Sequence, residues 1–139
     1  MTVVSKTIEL STKGNCDIVD ITSPVAKEVS SSGMASGTVT VFVTGSTAGV
    51  TTIEYEPGLV ADLKDMWGRL VPEEMEYQHN RAWADENGHS HVRAALLGAS
   101  LTVPFVNKKM TLGTWQQIVL IDFDNRQRSR EIFIQLIGE

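Results

Sequence analysis

The sequence predicts a single α+β domain, spanning residues 1–139, with about three helices. Its 139 residues can form one hydrophobic core without disulfides. Segments rich in β-branched or alternating apolar residues lie towards both ends of the chain, at 3–10, 38–43 and 130–137, which favours strands. An apolar repeat at three- and four-residue spacing follows Pro57, as in an amphipathic helix packed on a sheet.

Composition excludes several classes of protein. The net charge of −5 and the isoelectric point near 5.2 argue against a nucleic-acid partner, although a local basic cluster would suffice for a small phosphorylated ligand. The single Cys16 cannot form an internal disulfide, and we interpret it as a small buried residue. No signal-like leader and no apolar run near the ~20 residues of a membrane span are present, so we expect a cytoplasmic location and no membrane partner.

The first third of the chain is interpreted as structural. A strand at 3–10 and an extended segment at 17–21 are separated by a turn. A helix should follow, capped by Thr22 or Ser23 with Pro24 in its first turn. It should end at the serines before Gly33.

Two strands, 38–43 and 50–55, are predicted next, with a loop of small residues between them. Ser46 and Thr47 in this loop offer hydroxyls and backbone N–H groups to an anion, but an ordinary polar connection is commoner, since the lysine and helix of a P-loop are missing. Glu54 alternates with Thr52 and Glu56, which predicts a polar strand face that could line a pocket.

The helix that begins at Pro57 places Met66 and Trp67 on its apolar side. Both side chains are therefore expected in the core. The helix should end at Val71, before Pro72.

All three histidines, His79, His89 and His91, lie within one short stretch. On extended backbone His89 and His91 would face the same way and could bind one metal ion, with His79 arriving from across the loop. The alternative is three histidines without a ligand, which is about equally frequent. Asp85 could fix an imidazole tautomer, act as a general base or simply form a turn, and the same holds for its neighbours Glu86 and Asn87.

A helix should begin within this stretch, with Ser90 as its N-cap and Gly98 as its terminating residue. The histidines would then lie at a helix N-terminus, which favours an anion and neutral imidazoles. Arg93, one turn into the helix, could add a positive charge.

The last third is interpreted as a meander of strands at 100–106, 116–124 and 130–137, with a hairpin turn at 107–109. Trp115 could form a pocket wall, although a packed tryptophan is commoner. Arg126, Arg128 and Arg130 form the densest basic cluster, which is either a solvated hairpin or a phosphate contact.

Short motifs along the chain also carry a resemblance. They are Thr38 to Val43 followed by Ser46-Thr47-Ala48, Tyr77 two residues before His79, Ser90-His91 with Arg93, Leu97-Gly98 before Ser100-Leu101, Pro104, Leu112-Gly113-Thr114-Trp115-Gln116, and Gly138-Glu139. In this combination, which spans nearly the whole chain, the sequence resembles the YjbQ family, known as secondary thiamine-phosphate synthases.

The resemblance implies an α+β fold whose antiparallel β-sheets pack as a sandwich, a homotrimer, and a histidine-lined site for a divalent metal. It also implies an activity that joins a pyrimidine pyrophosphate to a thiazole phosphate. Zinc would suit three imidazoles, and magnesium would suit a pyrophosphate substrate. Glu54 and Asp85 fall on acidic positions of the family pattern, which favours them over Glu56 and Glu86.

The sequence departs from the family pattern at Gly45, where many bacterial members have a histidine. We hypothesise that His89 replaces the missing imidazole. Two function classes follow from the resemblance: a metal-dependent enzyme and a trimer that only captures a phosphorylated metabolite or a metal. In the enzyme, the metal is held by His79, His89 and His91; Asp85, Glu54 and Arg93 are catalytic; and the substrate contacts Ser46, Thr47, Ser90, Trp115, Arg128 and Arg130.

Overall fold

Two antiparallel β-sheets and four helices build the protein, which is described over all 139 residues by a computed structural model. One sheet has five strands in the order β1-β8-β3-β5-β6, and the other has three in the order β2-β7-β4. The strands are β1 (Thr2–Thr12), β2 (Asp17–Asp20), β3 (Gly37–Val43), β4 (Ala48–Ile53), β5 (Ser100–Val106), β6 (Lys109–Met110), β7 (Gln117–Asp122) and β8 (Arg128–Gly138). The helices are α1 (Thr22–Ser31), α2 (Pro57–Leu70), α3 (Gln78–Trp83) and α4 (Gly88–Leu97). The predicted α+β class is confirmed, and the helix beyond the expected three is the six-residue α3.

The main core lies between the two sheets. Alternate residues of β3 and β8 face inward, as strand geometry requires, and they meet Ile118 and Leu120 of β7 together with Val25 and Val29 of α1. The intervening residues of β7, Val119 and Ile121, belong to a second apolar cluster with α2 and α4. The three-stranded sheet is therefore buried on both faces, with the larger sheet on one side and helices on the other.

Two features of the connections differ from expectation. The predicted meander is wrong, because β7 lies in the three-stranded sheet while β5 and β8 lie in the five-stranded sheet. The predicted cap of α1 is also wrong: its N-cap is Ile21, without a side-chain hydrogen bond, and the Thr22 hydroxyl instead accepts a 2.9 Å hydrogen bond from the Ile118 amide. The sheet that β7 joins and the cap of α1 both depend on which strand edges and backbone amides are buried in the fold. The local sequence does not show this burial.

Helix α2 begins and ends where the sequence predicts. Its N-cap is Glu56, whose carboxylate accepts hydrogen bonds from the amides of Gly58 and Leu59, so Glu56 caps a helix. Trp67 is buried and Met66 packs beside it, as expected. Cys16 is buried in the same cluster, and burial raises the pKa of its thiol, which makes it a poor nucleophile.

None of the four helices combines the length and the apolar character that crossing a membrane would require.

Candidate functional site

The structure brings two of the three histidines together. His79 lies in the first turn of α3 and His91 in the first turns of α4. Their ring centroids are 4.3 Å apart at an interplanar angle of 40°. Asp85, on the loop between these helices, places its Oδ1 atom 3.4 Å from Nδ1 of His79. We call His79 and His91 the histidine pair.

The surroundings of His91 favour its neutral form. Burial lowers the pKa of His91, and the neighbouring His79 lowers it further, against the opposing effects of Asp85, Asp124 and a hydrogen bond with the Ser46 backbone. The Nδ1 atom of His79 is buried without a well-aligned hydrogen bond, although the Asp85 carboxylate is near. At neutral pH His91 therefore offers a nitrogen lone pair, which can bind a metal or accept a proton.

The third histidine points elsewhere, and the expected extended backbone at residues 89–91 is wrong. Helix α4 begins at Gly88, one turn earlier than predicted, with Asn87 as its N-cap. Residues two apart on a helix project roughly 200° from each other, so His89 and His91 face opposite ways. His89 is only 2% exposed, lies 6.4 Å from Tyr77 between ring centroids, and has no hydrogen-bond partner for Nδ1.

The N-terminus of α4 is closed to solvent, contrary to the expectation of an open anion site. Gly88, His89 and Ser90 are all buried. The Gly88 amide donates a 2.8 Å hydrogen bond to Oδ1 of Asn80. The first turn of α4 is therefore occupied by side chains of this chain and is not available to a ligand.

Two buried carboxylates that the sequence did not single out hold the site in place. Asp124 accepts hydrogen bonds from Thr47 at 2.9 Å, Asn87 at 3.3 Å and Arg128 at 3.0 Å. Burial acts to raise the pKa of Asp124, but these hydrogen bonds outweigh it and the net pKa is lowered. Because Asn87 starts α4 and Thr47 follows Ser46, Asp124 fixes both segments that flank His91.

The second carboxylate, Asp122, accepts two hydrogen bonds from Arg130, from Nε at 2.7 Å and from Nη2 at 2.8 Å. Arg130 also donates to the Thr47 hydroxyl at 2.6 Å. We call Asp122, Asp124, Arg128 and Arg130 the carboxylate–arginine network. A weak signal was present in the sequence: the arginines alternate on a strand close behind two aspartates of another strand, so their charges could pair.

Several residues expected to contact substrate are instead engaged by this network or by the core. Thr47 and Arg130 are buried and paired, and Arg128, partly exposed, pairs with Asp124. Ser90 is fully buried and donates to the Phe123 carbonyl at 2.5 Å. Arg93 is buried as well, and its Nε donates to the Val71 carbonyl at 3.0 Å, so it ties α4 to the end of α2.

Two further candidates lie away from the pair. Glu54 follows the far end of β4, six residues beyond Ala48, which corresponds to roughly 20 Å along a strand. Trp115 is 73% exposed on the loop before β7, where its neighbour Gln116 donates to the Thr52 hydroxyl at 3.1 Å. Of the expected catalytic residues, only Asp85 lies beside the histidine pair.

Gly45 lies near His91, and its conformation explains the departure from the family pattern. It has a φ of +126°, and a Cβ there would lie 2.7 Å from Nη1 of Arg130. A histidine at Gly45 would therefore require this backbone to shift. The structure does not place His89 at this position, because Gly45 and His91 line one cavity that His89 does not reach.

This cavity, about 440 Å³, lies between the loop before β4 and the side of α4. Ser46, Ala48, His91 and Ala94 are among its lining residues. His79 and His91 have the chemistry of metal ligands, with Asp85 placed to orient His79. No group of three or more histidine, cysteine, aspartate or glutamate side chains suited to one ion occurs within a single chain, so the expected set of three imidazoles does not form in the protomer.

Comparison with known proteins agrees with this fold along the full chain. Residues 6–139 match the profile of the family described as UPF0047 protein YjbQ-like. A UPF0047 protein of Methanothermobacter thermautotrophicus is 38% identical over 139 residues, covering 100% of this chain and 95% of the relative. A crystal structure from Sulfolobus solfataricus P2, described as a YbjQ-like protein of unknown function, superposes with a TM-score of 0.94 at 33% identity and covers 99% of both chains.

A second crystal structure, of a bacterial protein, also matches this chain. The uncharacterized conserved protein of the yjbq/upf0047 family from Clostridium acetobutylicum is 34% identical, with a TM-score of 0.83, and the match covers 94% of this chain and 99% of that one. Fold, sequence and the resemblance carried by the short motifs therefore agree, and the chain belongs to the YjbQ-like UPF0047 family.

Proposed function

We propose that this protein is a metal-binding enzyme that acts on small phosphorylated substrates, with a secondary thiamine-phosphate synthase activity. The observation that carries the proposal is the histidine pair beside Asp85, with His91, whose pKa is lowered, at the wall of a cavity of about 440 Å³. Neutral imidazoles, a carboxylate that orients one of them and a concave surface are the components of a metal-assisted site.

His79 and His91 would hold the metal. We favour zinc, because imidazole nitrogen is among its preferred ligands; magnesium would arrive with a pyrophosphate substrate. A bound divalent ion would polarise a phosphoryl oxygen. Because one chain would supply only two ligands, the remaining coordination positions of the metal would be open to water, substrate or a residue of another subunit.

A homotrimer is part of the proposal. Exposed apolar side chains lie close to the pair in sequence, on α3 and on the outer face of α4: Trp83 is 74% exposed, Leu96 60% and Val92 46%. Such side chains would be covered in an oligomer. A neighbouring subunit there would exclude water from the pair and could complete its ligand set.

The chain's own residues have distinct roles in this proposal. His91, whose pKa is lowered, would accept a proton from a reacting group at neutral pH. Asp85 would fix the tautomer of His79 and stabilise its charged form when it is protonated. Ser46, exposed at the cavity mouth, would donate a hydrogen bond to a phosphate.

The test is a turnover assay at high enzyme concentration with the pyrimidine pyrophosphate and the thiazole phosphate, with and without a chelator. We expect product that the chelator abolishes, and a loss of at least about tenfold for His91→Ala and His79→Ala, since removing supporting groups at a metal site typically costs that much. His89→Phe is the matched control, because it removes an imidazole outside the pair. Metal content of each variant, measured by mass spectrometry, should fall in His79→Ala and His91→Ala only.

One observation favours a second candidate, a protein that binds a phosphorylated metabolite or metal without turnover. Glu54 and Arg93, the other expected catalytic residues, lie away from the pair or in the core, which leaves Asp85 as the sole expected catalytic residue beside it. Tight binding of either precursor without any product would establish the binder and refute the enzyme. Unchanged metal content in both single histidine variants would refute the metal site itself.

A further inference from the structure

A second groove, of about 640 Å³, lies at the other end of the three-stranded sheet. Its walls are α1, the turn between β5 and β6, and the loop that leads into β7. Lys27 comes from the first wall, and Lys108 and Lys109 come from the second. We call it the lysine groove; its volume is within the range of small-molecule sites.

The charge of this groove contrasts with that of the whole chain. The protein carries a net charge of −5, yet none of the residues that line the lysine groove is an aspartate or a glutamate. None of its three lysines forms a salt bridge. By contrast, Arg128 and Arg130 are neutralised by buried carboxylates. Three unpaired ammonium groups around one concavity attract a compact anion of several charges.

The walls of the groove are held by hydrogen bonds before any ligand arrives. The Lys108 amide donates to the Ala35 carbonyl at 2.9 Å, which fixes the hairpin on the segment after α1. The Gln116 side chain accepts from the Gly113 amide at 3.0 Å, and the Gln117 side chain donates to the Thr114 carbonyl at 3.3 Å. A groove formed in advance binds with a smaller entropy loss than one that must be ordered.

The groove floor is partly apolar. Ala26, Met110 and Leu112 contribute to its lining alongside the polar side chains. A ligand that combines a charged group with a ring or aliphatic body would contact both surfaces. Three positive charges match a di- or triphosphate better than a single phosphate.

This groove is separate from the histidine pair. Gln117, at the start of β7, lines the lysine groove, whereas the other end of β7 leads to Asp124 beneath His91. Five steps along a strand correspond to roughly 17 Å. A phosphate bound in the lysine groove therefore cannot also contact the histidine pair.

We propose that the lysine groove is a binding site for a small molecule carrying a di- or triphosphate group, distinct from the site of the histidine pair. Lys27, Lys108 and Lys109 contact the phosphates, and the apolar floor contacts the body of the ligand. The site requires neither a metal at the histidine pair nor turnover there, so it stands or falls independently of the proposed enzyme.

The experiment titrates metal-free full-length protein with tripolyphosphate, pyrophosphate and orthophosphate at low ionic strength. Heat of binding and tryptophan fluorescence are the two readouts, because the exposed Trp115 lies on the groove loop between Thr114 and Gln116. We expect saturable binding that tightens from orthophosphate to tripolyphosphate. The Lys27→Gln and Lys109→Gln double variant should weaken tripolyphosphate binding at least about tenfold, through the loss of two charge-assisted contacts.

Controls make the outcome specific to the groove. Lys108 is left unchanged, because its φ of +63° lies in the hairpin turn. The double variant Lys6→Gln and Lys64→Gln, at exposed positions of β1 and α2, makes the same charge change outside the groove. His91→Ala alters the other site, and both variants should keep the wild-type affinity. Absence of saturable tripolyphosphate binding, equal weakening by the Lys6→Gln and Lys64→Gln double variant, or loss of binding in His91→Ala would each overturn the proposal.

Discussion

At the scale of single residues, His89 and His91 show how two neighbours acquire opposite environments. His91 lines a cavity and contacts His79, whereas His89 lies in the core beside Tyr77. Burial lowers the pKa of both imidazoles, with a further contribution from Arg93 for His89 and from His79 for His91. Only His91 can use its neutral state for chemistry, because only its ring reaches a cavity.

The lowered pKa of His89 gives a prediction for stability against pH. The unfolded chain binds a proton near the ordinary value of 6.5, whereas the folded chain binds it only at lower pH. The contribution of His89 to stability is therefore fully present above that value and is lost progressively as the pH falls from it through the lower pKa of the folded protein. The His89 ring has a single long hydrogen bond, between Nε2 and the Ser90 hydroxyl at 3.4 Å, so His89→Phe should leave stability at about pH 7.5 within ~1.5 kcal/mol of the wild type. The variant should also lose less free energy of unfolding than the wild type between about pH 7.5 and about pH 5.5, by up to about 1.4 kcal/mol.

Urea unfolding at the two pH values measures this difference. Both pH values lie above the ordinary range of carboxyl pKa values, so titration of Asp124 does not contribute to the difference in stability between them. Gly68→Ala on α2, which changes no titratable group, is the control and should keep the wild-type pH dependence. An identical pH dependence of the wild type and His89→Phe would show that folding does not lower the pKa of His89.

At the scale of elements, the histidine pair depends on the close approach of α3 and α4. Gly88, the first residue of α4, lies against the residue before α3: a Cβ on it would be 2.5 Å from Cβ of Tyr77 and 3.0 Å from Oδ1 of Asn80. Only glycine lets these two helix starts meet. The tight contact keeps the first turn of each helix, and hence His79 and His91, at a fixed separation.

Gly88→Ala should therefore destabilise the protein by about 1–3 kcal/mol through overpacking. It should also lower metal content if the pair binds a metal, since the two rings move apart. Gly68→Ala in the middle of α2 is the matched control, because nothing lies within 4 Å of its added Cβ, and it should stabilise by roughly 0.5–1 kcal/mol. Thermal unfolding of both variants tests whether their stabilities change in opposite directions. A stability of Gly88→Ala equal to that of the wild type would show that the contact is easily relaxed.

At the scale of the whole molecule, the carboxylate–arginine network joins the two sheets. Asp122 ends β7 of the smaller sheet, and it receives hydrogen bonds from Arg130 of β8 and from Thr12 of β1 in the larger sheet, the latter at 2.5 Å. Thr47, at the start of β4, joins the same network through Arg130. Sheet packing and the position of the loop beside His91 are thus coupled.

Asp122→Asn should destabilise the protein by about 3–5 kcal/mol, because Arg130 would remain buried without the carboxylate that it hydrogen-bonds, and the other carboxylate, of Asp124, is 3.9 Å away. Asp65→Asn removes a carboxylate from an exposed pair with Arg69, 3.1 Å long on α2, and should cost at most about 1 kcal/mol. Chemical denaturation of the two variants measures the contrast. Equal losses would mean that the buried network contributes no more than a surface pair.

The sequence predicted most elements of this fold, because their signals are local. The β-branched run of β3, the apolar spacing of α2 after Pro57, and Gly98 at the end of α4 specify their own conformation. It also predicted the region of the candidate site, since His79, Asp85 and His91 are close along the chain. It could not predict α4 starting at Gly88, because a buried contact with Tyr77 and Asn80 rather than a capping side chain sets that boundary.

The sequence by itself determined the class of fold, the family and the segment that carries the histidines. Tertiary structure decided which histidines act together, and it gave Thr47, Ser90, Arg93 and Arg130 internal partners instead of open surface. The physical reason is that strand and helix propensities act between near neighbours, whereas burial and charge pairing depend on residues brought together by sheets that sequence order does not reveal. His89 and His91 differ because two positions along a helix correspond to a rotation of roughly 200°, which directs one side chain to the core and the other to the cavity.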